Sequence, residues 1–274
     1  MSQRIAILGC GYVGTALARH WRQQGLSLVV TTTTADRLAS LEDLAGDARL
    51  VQGDDPVGLR SLLAGVDTLV VLVGARRGSS YEDTYLRTAE TLAQVLPDCP
   101  SVQQLIYTGS YAVYGDQQGA WVDEDTPLKP VPPNGPVLAR VEETLLGLRS
   151  PDRRVCLLRL GGIYGPGREL ARIFGPAAGT TRGGTGEEPG NWVHLEDIVG
   201  AIAFAHERRL DGIYNLVSEP IATGDLLARV CAEAGLAPIR FDPTLPSQRP
   251  YHARVSNRKL IEAGYRFRHP RVFR

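Results

Sequence analysis

The sequence is short of lysine, carries no excess charge of either sign, and has no apolar run long enough to cross a membrane. Lysine plus arginine equals aspartate plus glutamate, at 30 each, and the only lysines are Lys129 and Lys259. Balanced charge gives no electrostatic reason to bind nucleic acid or an anionic membrane. The first apolar run is broken by glycine and lacks the basic segment and cleavage site of an export signal. We therefore predict neither nucleic-acid nor membrane partners.

Cysteine is also scarce. The four cysteines, Cys10, Cys99, Cys156 and Cys231, are widely spaced and match no disulfide or metal-ligand spacing. Such usage is typical of a reduced compartment, so we predict a cytoplasmic protein without a metal site. With 274 residues, the chain is long enough for one large domain, or one and a half, with a full core.

The most informative motif lies near the start of the chain. An apolar run, Arg4 to Leu8, leads into Gly9-Cys10-Gly11-Tyr12-Val13-Gly14, which opens an amphipathic helical pattern. In such a turn the first glycine permits the tight bend, the second lets backbone approach a pyrophosphate, and the third allows close packing of helix on strand. The helix N-terminus favours phosphate. The residues predicted to contact a dinucleotide here are Gly9, Gly11, Tyr12, Val13 and Gly14.

Apolar β-rich runs then alternate with helical patterns along the chain, which predicts a parallel sheet covered on both faces. The predicted strands lie near Leu28 to Thr32, Arg49 to Gln52, Thr68 to Val73, Gln104 to Thr108, Arg154 to Leu158 and Ile213 to Val217. The predicted helices lie at Tyr81 to Leu96, Leu195 to His206, Asp225 to Ala234 and Asn257 to Ala263. We predict an α/β fold, a Rossmann-type doubly wound parallel sheet with a small C-terminal lobe. The expected divisions are a dinucleotide-binding domain at 1–165 with 191–218, and a substrate lobe at 166–190 with 219–274.

Four further segments carry a resemblance to a known family. These are Ser110-Tyr111-Ala112-Val113-Tyr114-Gly115-Asp116, Asp123 to Pro127, Arg159 to Gly167 and Val193 to Ile198, in that order. Over about the first 220 residues the chain resembles the extended short-chain dehydrogenase/reductase family, which includes NAD(P)-dependent sugar-nucleotide epimerases and dehydratases. Within it, the sequence is most similar to the small bacterial YeeZ-like proteins. The resemblance implies a bound NAD(P), a small-molecule substrate, and a homodimer formed through helices at Tyr81 to Leu96 and Val137 to Leu148.

The chain departs from that family at its catalytic pair. The family uses a Tyr-x-x-x-Lys motif as its acid and base, and the matching positions here hold Asn134 and Leu138. No tyrosine occurs between Tyr114 and Tyr164, and the only lysine in that interval is Lys129. We therefore predict that the usual dyad is absent. The short C-terminal lobe favours a substrate smaller than a nucleotide sugar.

The remaining catalytic candidates are Ser110, Tyr111 and Tyr114. The resemblance places Ser110 at the carboxyl end of a strand, where its hydroxyl either orients a substrate oxygen or caps local backbone. Tyr111 and Tyr114 either donate protons or pack in the core with a hydrogen-bonded hydroxyl. Of the later motif, we interpret Asp197 as the cap of the helix that follows and His194 as its neighbour.

The residues after the second strand bear on the choice of cofactor. Enzymes that use NAD usually place a carboxylate there for the ribose 2′-hydroxyl. This chain has four threonines, Thr31 to Thr34, then Ala35, Asp36 and Arg37. Thr32, Thr33 and Arg37 suit a 2′-phosphate and favour NADP, whereas Asp36 keeps NAD as the alternative. The resemblance also implies that Asp54 contacts the adenine and that Val73, Gly74 and Ala75 pass beside the cofactor.

Two functions follow from these observations. The first is an NAD(P)-dependent oxidoreductase or epimerase acting on a small carbonyl or hydroxyl compound, with Ser110 orienting it. The second is a non-catalytic NAD(P)-binding sensor or regulatory protein, which the loss of the dyad favours. A cofactor-independent isomerase or hydrolase ranks last, because the sequence has no matching nucleophile constellation.

Overall fold

The computed structural model describes residues 3–75, 78–247 and 251–273. The predicted domain at 1–165 therefore has four residues outside the described ranges, at 1–2 and 76–77. The predicted lobe at 219–274 likewise has residues 248–250 and 274 outside them.

A seven-stranded parallel sheet is the centre of the fold. The strands of the described residues are β1 (Arg4–Leu8), β2 (Ser27–Thr32), β3 (Ala48–Leu50), β4 (Thr68–Val71), β5 (Gln104–Ser110), β6 (Trp121–Val122), β7 (Arg154–Leu160), β8 (Gly162–Tyr164), β9 (Thr181–Gly183), β10 (Pro189–Gly190), β11 (Trp192–His194), β12 (Gly212–Leu216), β13 (Ile221–Ala222), β14 (Arg240–Asp242) and β15 (Arg254–Val255). The sheet order is β12-β7-β5-β4-β1-β2-β3. This is the doubly wound order of dinucleotide-binding folds, and it confirms the predicted fold class.

The central strands are buried because both faces of the sheet are covered. Every residue of β4 is buried, as are four of the five residues of β1. In register, Ala6 of β1 lies beside Val29 of β2 and Leu69 of β4, and all three belong to one apolar cluster. Continuous apolar strands are what a parallel sheet packed on both faces requires.

Helices connect and cover the strands. They are α1 (Tyr12–Gln23), α2 (Leu38–Ala45), α3 (Pro56–Leu63), α4 (Arg87–Val95), α5 (Asn134–Leu146), α6 (Leu170–Phe174), α7 (Leu195–Glu207), α8 (Thr223–Ala234) and α9 (Arg258–Glu262). Local sequence explains two of the helix ends. Asp55 precedes Pro56 and its Oδ1 accepts from the N–H groups of Val57 and Gly58, each at 3.0 Å, which caps α3. Gly46 follows the last residue of α2 as its C-terminal cap and has a φ of +83°.

The predicted helix at Tyr81 to Leu96 is not one regular helix. A π-helical turn at Glu82–Leu86 precedes α4, and a 3₁₀ turn at Leu96–Asp98 follows it. The Gly- and Pro-rich stretch from Gly165 to Gly190, for which the sequence predicted no element, contains α6, β9 and β10. These elements have two to five residues, which is too few for a hydrophobic period to be detected.

The chain divides into two compact units. The first consists of Met1–Gly109, Pro136–Leu158 and Val199–Ile213, and the second of Ser110–Gly135, Arg159–Ile198 and Tyr214–Arg274. The predicted boundaries of a dinucleotide domain and a substrate lobe are functional divisions, and they stay predictions.

Within the described ranges, none of the helices combines the length and the apolar character needed to pass through a bilayer.

Candidate functional site

In the glycine turn after β1, two of the three glycines stand where a larger side chain would collide with backbone. Gly9 has a φ of +97°, and a Cβ there would lie 2.8 Å from the carbonyl oxygen of Leu72. A Cβ on Gly14 would lie 2.7 Å from the carbonyl oxygen of Gly9. At Gly11 an added Cβ would meet nothing within 4 Å. The turn therefore closes tightly against the sheet while Gly11 faces open space.

Thr31, in β2, fixes this turn, and sequence reasoning did not select it. Its buried hydroxyl accepts from the N–H of Gly9 at 2.9 Å and donates to the carbonyl of Ile7 at 3.3 Å. Its carbonyl accepts from the N–H of Cys10 at 2.8 Å. Its only signal in the sequence is membership of a run of four threonines, and that run does not say which of them points at the turn.

The start of α1 fits the pyrophosphate of a dinucleotide. Gly11 is the N-cap residue, no side chain caps the helix, and the first turn holds no acidic residue. Backbone N–H groups and the positive end of the helix dipole therefore meet no competing carboxylate there. Together with the open space over Gly11, this arrangement has the chemistry that phosphate oxygens require.

Arg37 places a cation directly at the glycine turn. Its Nη1 donates to the carbonyl oxygen of Cys10 at 2.8 Å, and its Nη2 donates to Oγ1 of Thr15 at 3.3 Å. Burial raises the pKa of the Cys10 thiol, and the hydrogen bond with Thr15 and the charge of Arg37 oppose that rise. The Cys10 side chain is buried, so it acts as packing.

The other predicted cofactor residues lie at or just after the carboxyl ends of neighbouring strands. Thr32 ends β2, and its Oγ1 accepts from the N–H of Thr34 at 3.1 Å, while Thr33 is exposed. Asp54 follows β3 and is exposed. Since β3, β2, β1 and β4 are adjacent and parallel, these ends meet at one edge of the sheet, where such folds bind ligands.

The segment after β4 at the same edge is held by a tyrosine that sequence reasoning also missed. Val73, Gly74 and Ala75 follow β4, and the N–H of Ala75 donates to the hydroxyl of Tyr85 at 3.1 Å. Tyr85 lies in the π-helical turn before α4, and its ring packs against Tyr81 with centroids 5.0 Å apart. π-Helical turns interrupt regular helices, often at functional sites.

Ser110 is the last residue of β5 and the cap of the 3₁₀ turn Tyr111–Tyr114. Its Oγ accepts from the N–H of Ala112 at 3.2 Å. The capping role is therefore confirmed, and a role toward substrate stays a prediction.

Tyr114 is fully buried within the second unit, and its hydroxyl donates to Oδ1 of the buried Asn215 at 2.9 Å. Burial raises the pKa of Tyr114 to about 12, although the nearby Arg159 guanidinium, 4.7 Å from the ring centroid, opposes the rise. Tyr111 is 5% exposed, and its ring meets the ring of Tyr251 edge-on at 5.3 Å. The environment of Tyr114 moves its pKa in the opposite direction from that needed by an acid working near neutral pH.

The positions that match the family dyad lie on α5. Asn134 is its first residue and is exposed, whereas Leu138, one turn later, is buried. One turn beyond Leu138 is Glu142, which is 3% exposed. A Cβ built on Gly109 would lie 3.3 Å from its Oε1, so this carboxylate reaches β5 just before Ser110.

The segment around Asp197 differs from its interpretation as a helix cap. Asp197 is the third residue of α7, and the position before the helix belongs to His194, whose Nδ1 accepts from the N–H of Glu196 at 3.2 Å. Asp197 is fully buried and instead accepts from the N–H groups of Arg268 at 2.6 Å and His269 at 2.9 Å. The capping prediction for Asp197 was therefore wrong, because a distant segment uses its carboxylate.

His194, Glu196 and His269 form a polar cluster in the second unit. The rings of His194 and His269 lie 3.8 Å apart between centroids, and His269 Nε2 is 2.9 Å from Glu196 Oε2. Burial and the neighbouring His269 lower the pKa of His194, and the hydrogen bond from His269 lowers the pKa of Glu196. His194 also lines a cavity of about 600 Å³ together with Tyr164, Glu169, Leu170, Glu233 and Phe273.

The sheet order and the glycine turn together define a protein with a Rossmann-type, dinucleotide-binding fold. A family model described as "NAD dependent epimerase/dehydratase family" matches residues 5–216, which is most of the chain. The chain therefore belongs to the NAD-dependent epimerase/dehydratase family. The resemblance seen in the sequence is confirmed.

The chain is also similar along nearly its whole length to individual proteins. Protein YeeZ of Escherichia coli (strain K12) is 31% identical over 277 residues, covering 98% of this chain and 97% of that one. A functionally unknown conserved protein from Silicibacter pomeroyi DSS has a solved structure with a TM-score of 0.79 and 26% identity, covering 98% of this chain and 95% of that one. DesIV is a dTDP-glucose 4,6-dehydratase from Streptomyces venezuelae whose structure was solved with NAD and TYD bound. It has a TM-score of 0.78 and 20% identity, covering 96% of this chain and 92% of that one. At that identity the last comparison supports the fold alone.

Proposed function

We propose that this protein binds NADP in preference to NAD and transfers hydride to or from a small carbonyl or hydroxyl compound. The observation that carries the proposal is the position of Arg37, whose guanidinium is hydrogen-bonded to Cys10 and Thr15 at the glycine turn. A fixed cation there favours the 2′-phosphate that distinguishes NADP from NAD. Strand β2 ends in threonines, and the nearest following carboxylate, Asp36, is exposed.

The residues that would hold the cofactor are those predicted from the sequence. Thr31 and Tyr85 support them, because they accept hydrogen bonds from the N–H groups of Gly9 and Ala75. Gly9, Gly11, Tyr12, Val13 and Gly14 would receive the pyrophosphate, and Thr32, Thr33 and Arg37 the 2′-phosphate. Asp54 would contact the adenine, and Val73, Gly74 and Ala75 would line the cofactor. When bound, the nicotinamide supplies the hydride chemistry, and the protein supplies binding and orientation.

Ser110 would orient the substrate. Its Oγ already accepts from the N–H of Ala112, so its own proton is directed to another acceptor, such as a substrate oxygen. With Asn134 and Leu138 in place of the family pair, proton transfer would fall to Tyr111, water or the substrate itself. Tyr114 is a poor donor near neutral pH, because burial raises its pKa to about 12. Turnover would be slow, because a tuned acid or base typically contributes roughly 10² to 10⁴-fold to rate.

A cytoplasmic location and a homodimer belong to the same proposal. Arg140 on α5 and Glu90 on α4 form an exposed ion pair at 3.5 Å, which places these two helices side by side. The homodimer would form through this pair of helices. Light scattering coupled to size exclusion measures the mass directly, and a monomer at all concentrations would remove the dimer from the proposal.

The alternative is a non-catalytic NADP sensor or regulatory protein. The replacement of the dyad by Asn134 and Leu138 favours it, as does the raised pKa of the buried Tyr114 hydroxyl. Both functions require the same nucleotide site. They differ in whether bound cofactor is turned over.

Titration calorimetry with NADP and with NAD tests the shared part of both functions. We expect Arg37→Gln to weaken NADP binding by about tenfold, the effect of one charge-assisted hydrogen bond, and to leave NAD binding unchanged. Arg22→Gln, an exposed arginine in the last turn of α1, is the matched control and should change neither affinity. Binding of neither nucleotide by the unmodified protein would overturn the proposal.

A panel of small carbonyl compounds with NADPH then separates enzyme from sensor. Oxidation of NADPH that depends on one compound, and that falls in Ser110→Ala at unchanged NADPH affinity, identifies the enzyme. Tight NADPH binding without turnover of any compound identifies the sensor.

A further inference from the structure

The side chains of His194, Glu196 and His269 converge within the second unit, and we propose that they bind Zn²⁺. Their ligand atoms all lie within 4.8 Å of one another. His269 Nε2 is 2.9 Å and His194 Nδ1 is 4.0 Å from the same oxygen, Glu196 Oε2. Ligands bound tetrahedrally to Zn²⁺ at about 2.0 to 2.2 Å are about 3.3 Å apart, which falls between these two separations. Small rotations of the His194, Glu196 and His269 side chains would bring all three ligand atoms to one ion.

The donor set selects the type of metal. Two imidazoles and one carboxylate suit Zn²⁺ and its first-row neighbours, whereas Mg²⁺ and Ca²⁺ require oxygen ligands alone. The two rings are stacked at 35° to each other, so their edges are presented side by side. His194 Nδ1 accepts from the N–H of Glu196 at 3.2 Å, and its single lone pair cannot also bind a metal, so Zn²⁺ held through Nδ1 takes the place of this hydrogen bond.

The backbone holds both histidines in place before any metal binds. The N–H of His269 donates to Asp197 Oδ2 at 2.9 Å, and its carbonyl accepts from Ser218 Oγ at 2.8 Å. His194 ends β11 in register with Tyr164 of β8, and the two rings meet edge-on at 5.0 Å. Partners of this kind orient metal ligands, and they reduce the ordering that binding must impose.

The cluster is open to solvent on one side. The Glu196 side chain is 51% exposed, against 12% for His194 and 25% for His269. Zn²⁺ can therefore enter without disturbing the core, and three protein ligands leave a fourth position for water or another molecule. His194 also lines the cavity of about 600 Å³, so a small molecule in that cavity is a source of the fourth ligand.

Metal titration of the full-length, untagged protein tests the site. After treatment with EDTA and desalting, ZnCl₂ is added in a calorimeter, and CoCl₂ is added separately while visible absorption is recorded. We expect one equivalent of Zn²⁺ and the strong visible absorption of tetrahedral cobalt. Glu196→Gln and His269→Gln should each weaken Zn²⁺ binding by about tenfold or more and abolish the cobalt spectrum.

Matched controls are His20→Gln on α1 and Glu262→Gln on α9, both of which should bind Zn²⁺ as the unmodified protein does. Glu196 is exposed, so Glu196→Gln keeps the test decisive if His269→Gln fails to fold. The proposal is overturned if the unmodified protein binds no Zn²⁺. It is equally overturned if Glu196→Gln, with an unchanged circular dichroism spectrum, binds Zn²⁺ undiminished, because the metal then lies elsewhere.

Discussion

The imidazole of His206 in α7 packs its edge against the indole of Trp21 in α1, with ring centroids 5.5 Å apart and ring planes at 65°. Both side chains are buried, and His206 Nδ1 lies 3.3 Å from both Thr68 Oγ1 and Gln104 Oε1. A histidine is thus enclosed by apolar and neutral polar groups. Such a site favours the uncharged ring.

Acid should destabilise the first unit through His206. Burial lowers the pKa of His206 below its ordinary 6.5, the charge of Arg209 adds to this, and Glu207 and Asp67 oppose it. As the pH falls, the histidine of the unfolded chain is protonated near pH 6.5, before that of the folded protein, whose pKa is lower. The contribution of His206 to stability is therefore complete above pH 6.5 and is lost below it, with a slope approaching about 1.4 kcal/mol per pH unit.

Urea unfolding at a series of pH values measures this slope. His206→Gln should reduce this slope between pH 6.5 and 5, and His20→Gln, at a partly buried histidine in α1, is the matched control. An unchanged slope in His206→Gln would assign the acid sensitivity to other groups.

Gly14→Ala should destabilise the fold more than Gly11→Ala. The added methyl group at Gly14 would lie 2.7 Å from the Gly9 carbonyl oxygen, and backbone must move to relieve the contact, whereas the one at Gly11 meets nothing within 4 Å. We expect a loss of about 1 to 3 kcal/mol at Gly14, typical of overpacking. Denaturant midpoints of the two variants compare them directly, and equal midpoints would contradict the close packing.

Tyr114→Phe should cost stability and leave catalysis intact. The substitution leaves Asn215 Oδ1 buried without the hydroxyl that donates to it, a loss of about 1 to 3 kcal/mol. A phenol whose pKa is raised to about 12 is a poor proton donor near neutral pH. Thermal unfolding and steady-state rates separate the two effects. A lower rate at unchanged stability would instead identify Tyr114 as the proton donor.

Asp197→Asn should release the segment that contains His269. One carboxylate accepts from the N–H groups of Arg268 and His269, and an amide can replace only one of its two acceptor oxygens. We expect a loss of about 1 to 3 kcal/mol and faster proteolysis after residue 265. The control is Asp225→Asn, at an exposed position in α8. Equal proteolysis of both variants would contradict this role of Asp197.

The central sheet was predictable because its strands are continuous apolar runs separated by helical periods. The glycine turn was predictable because Gly9 has a positive φ and Gly14 packs against the Gly9 carbonyl within the turn itself. Contacts across long stretches of chain were not. Asp197 accepts from residues 71 and 72 positions away, and no local pattern distinguishes that use from a helix cap. The role of Thr31 depends in the same way on which face of β2 points at the turn. The catalytic and cofactor roles of the predicted residues stay predictions, because they require a bound ligand.

Strands β6 and β15 form a parallel pair, in which Trp121 lies opposite Arg254 and Val122 opposite Val255. The Arg254 guanidinium also donates to the carbonyl of Gly119, 135 positions earlier, and the buried Asn191 bonds to Ala253 and Val255 on either side. During translation, β6 emerges from the ribosome long before the strand that it pairs with. The second unit therefore completes its fold only after residue 255 has been synthesised, and a nascent chain stopped short of residue 253 would leave the Asn191 amide without these partners.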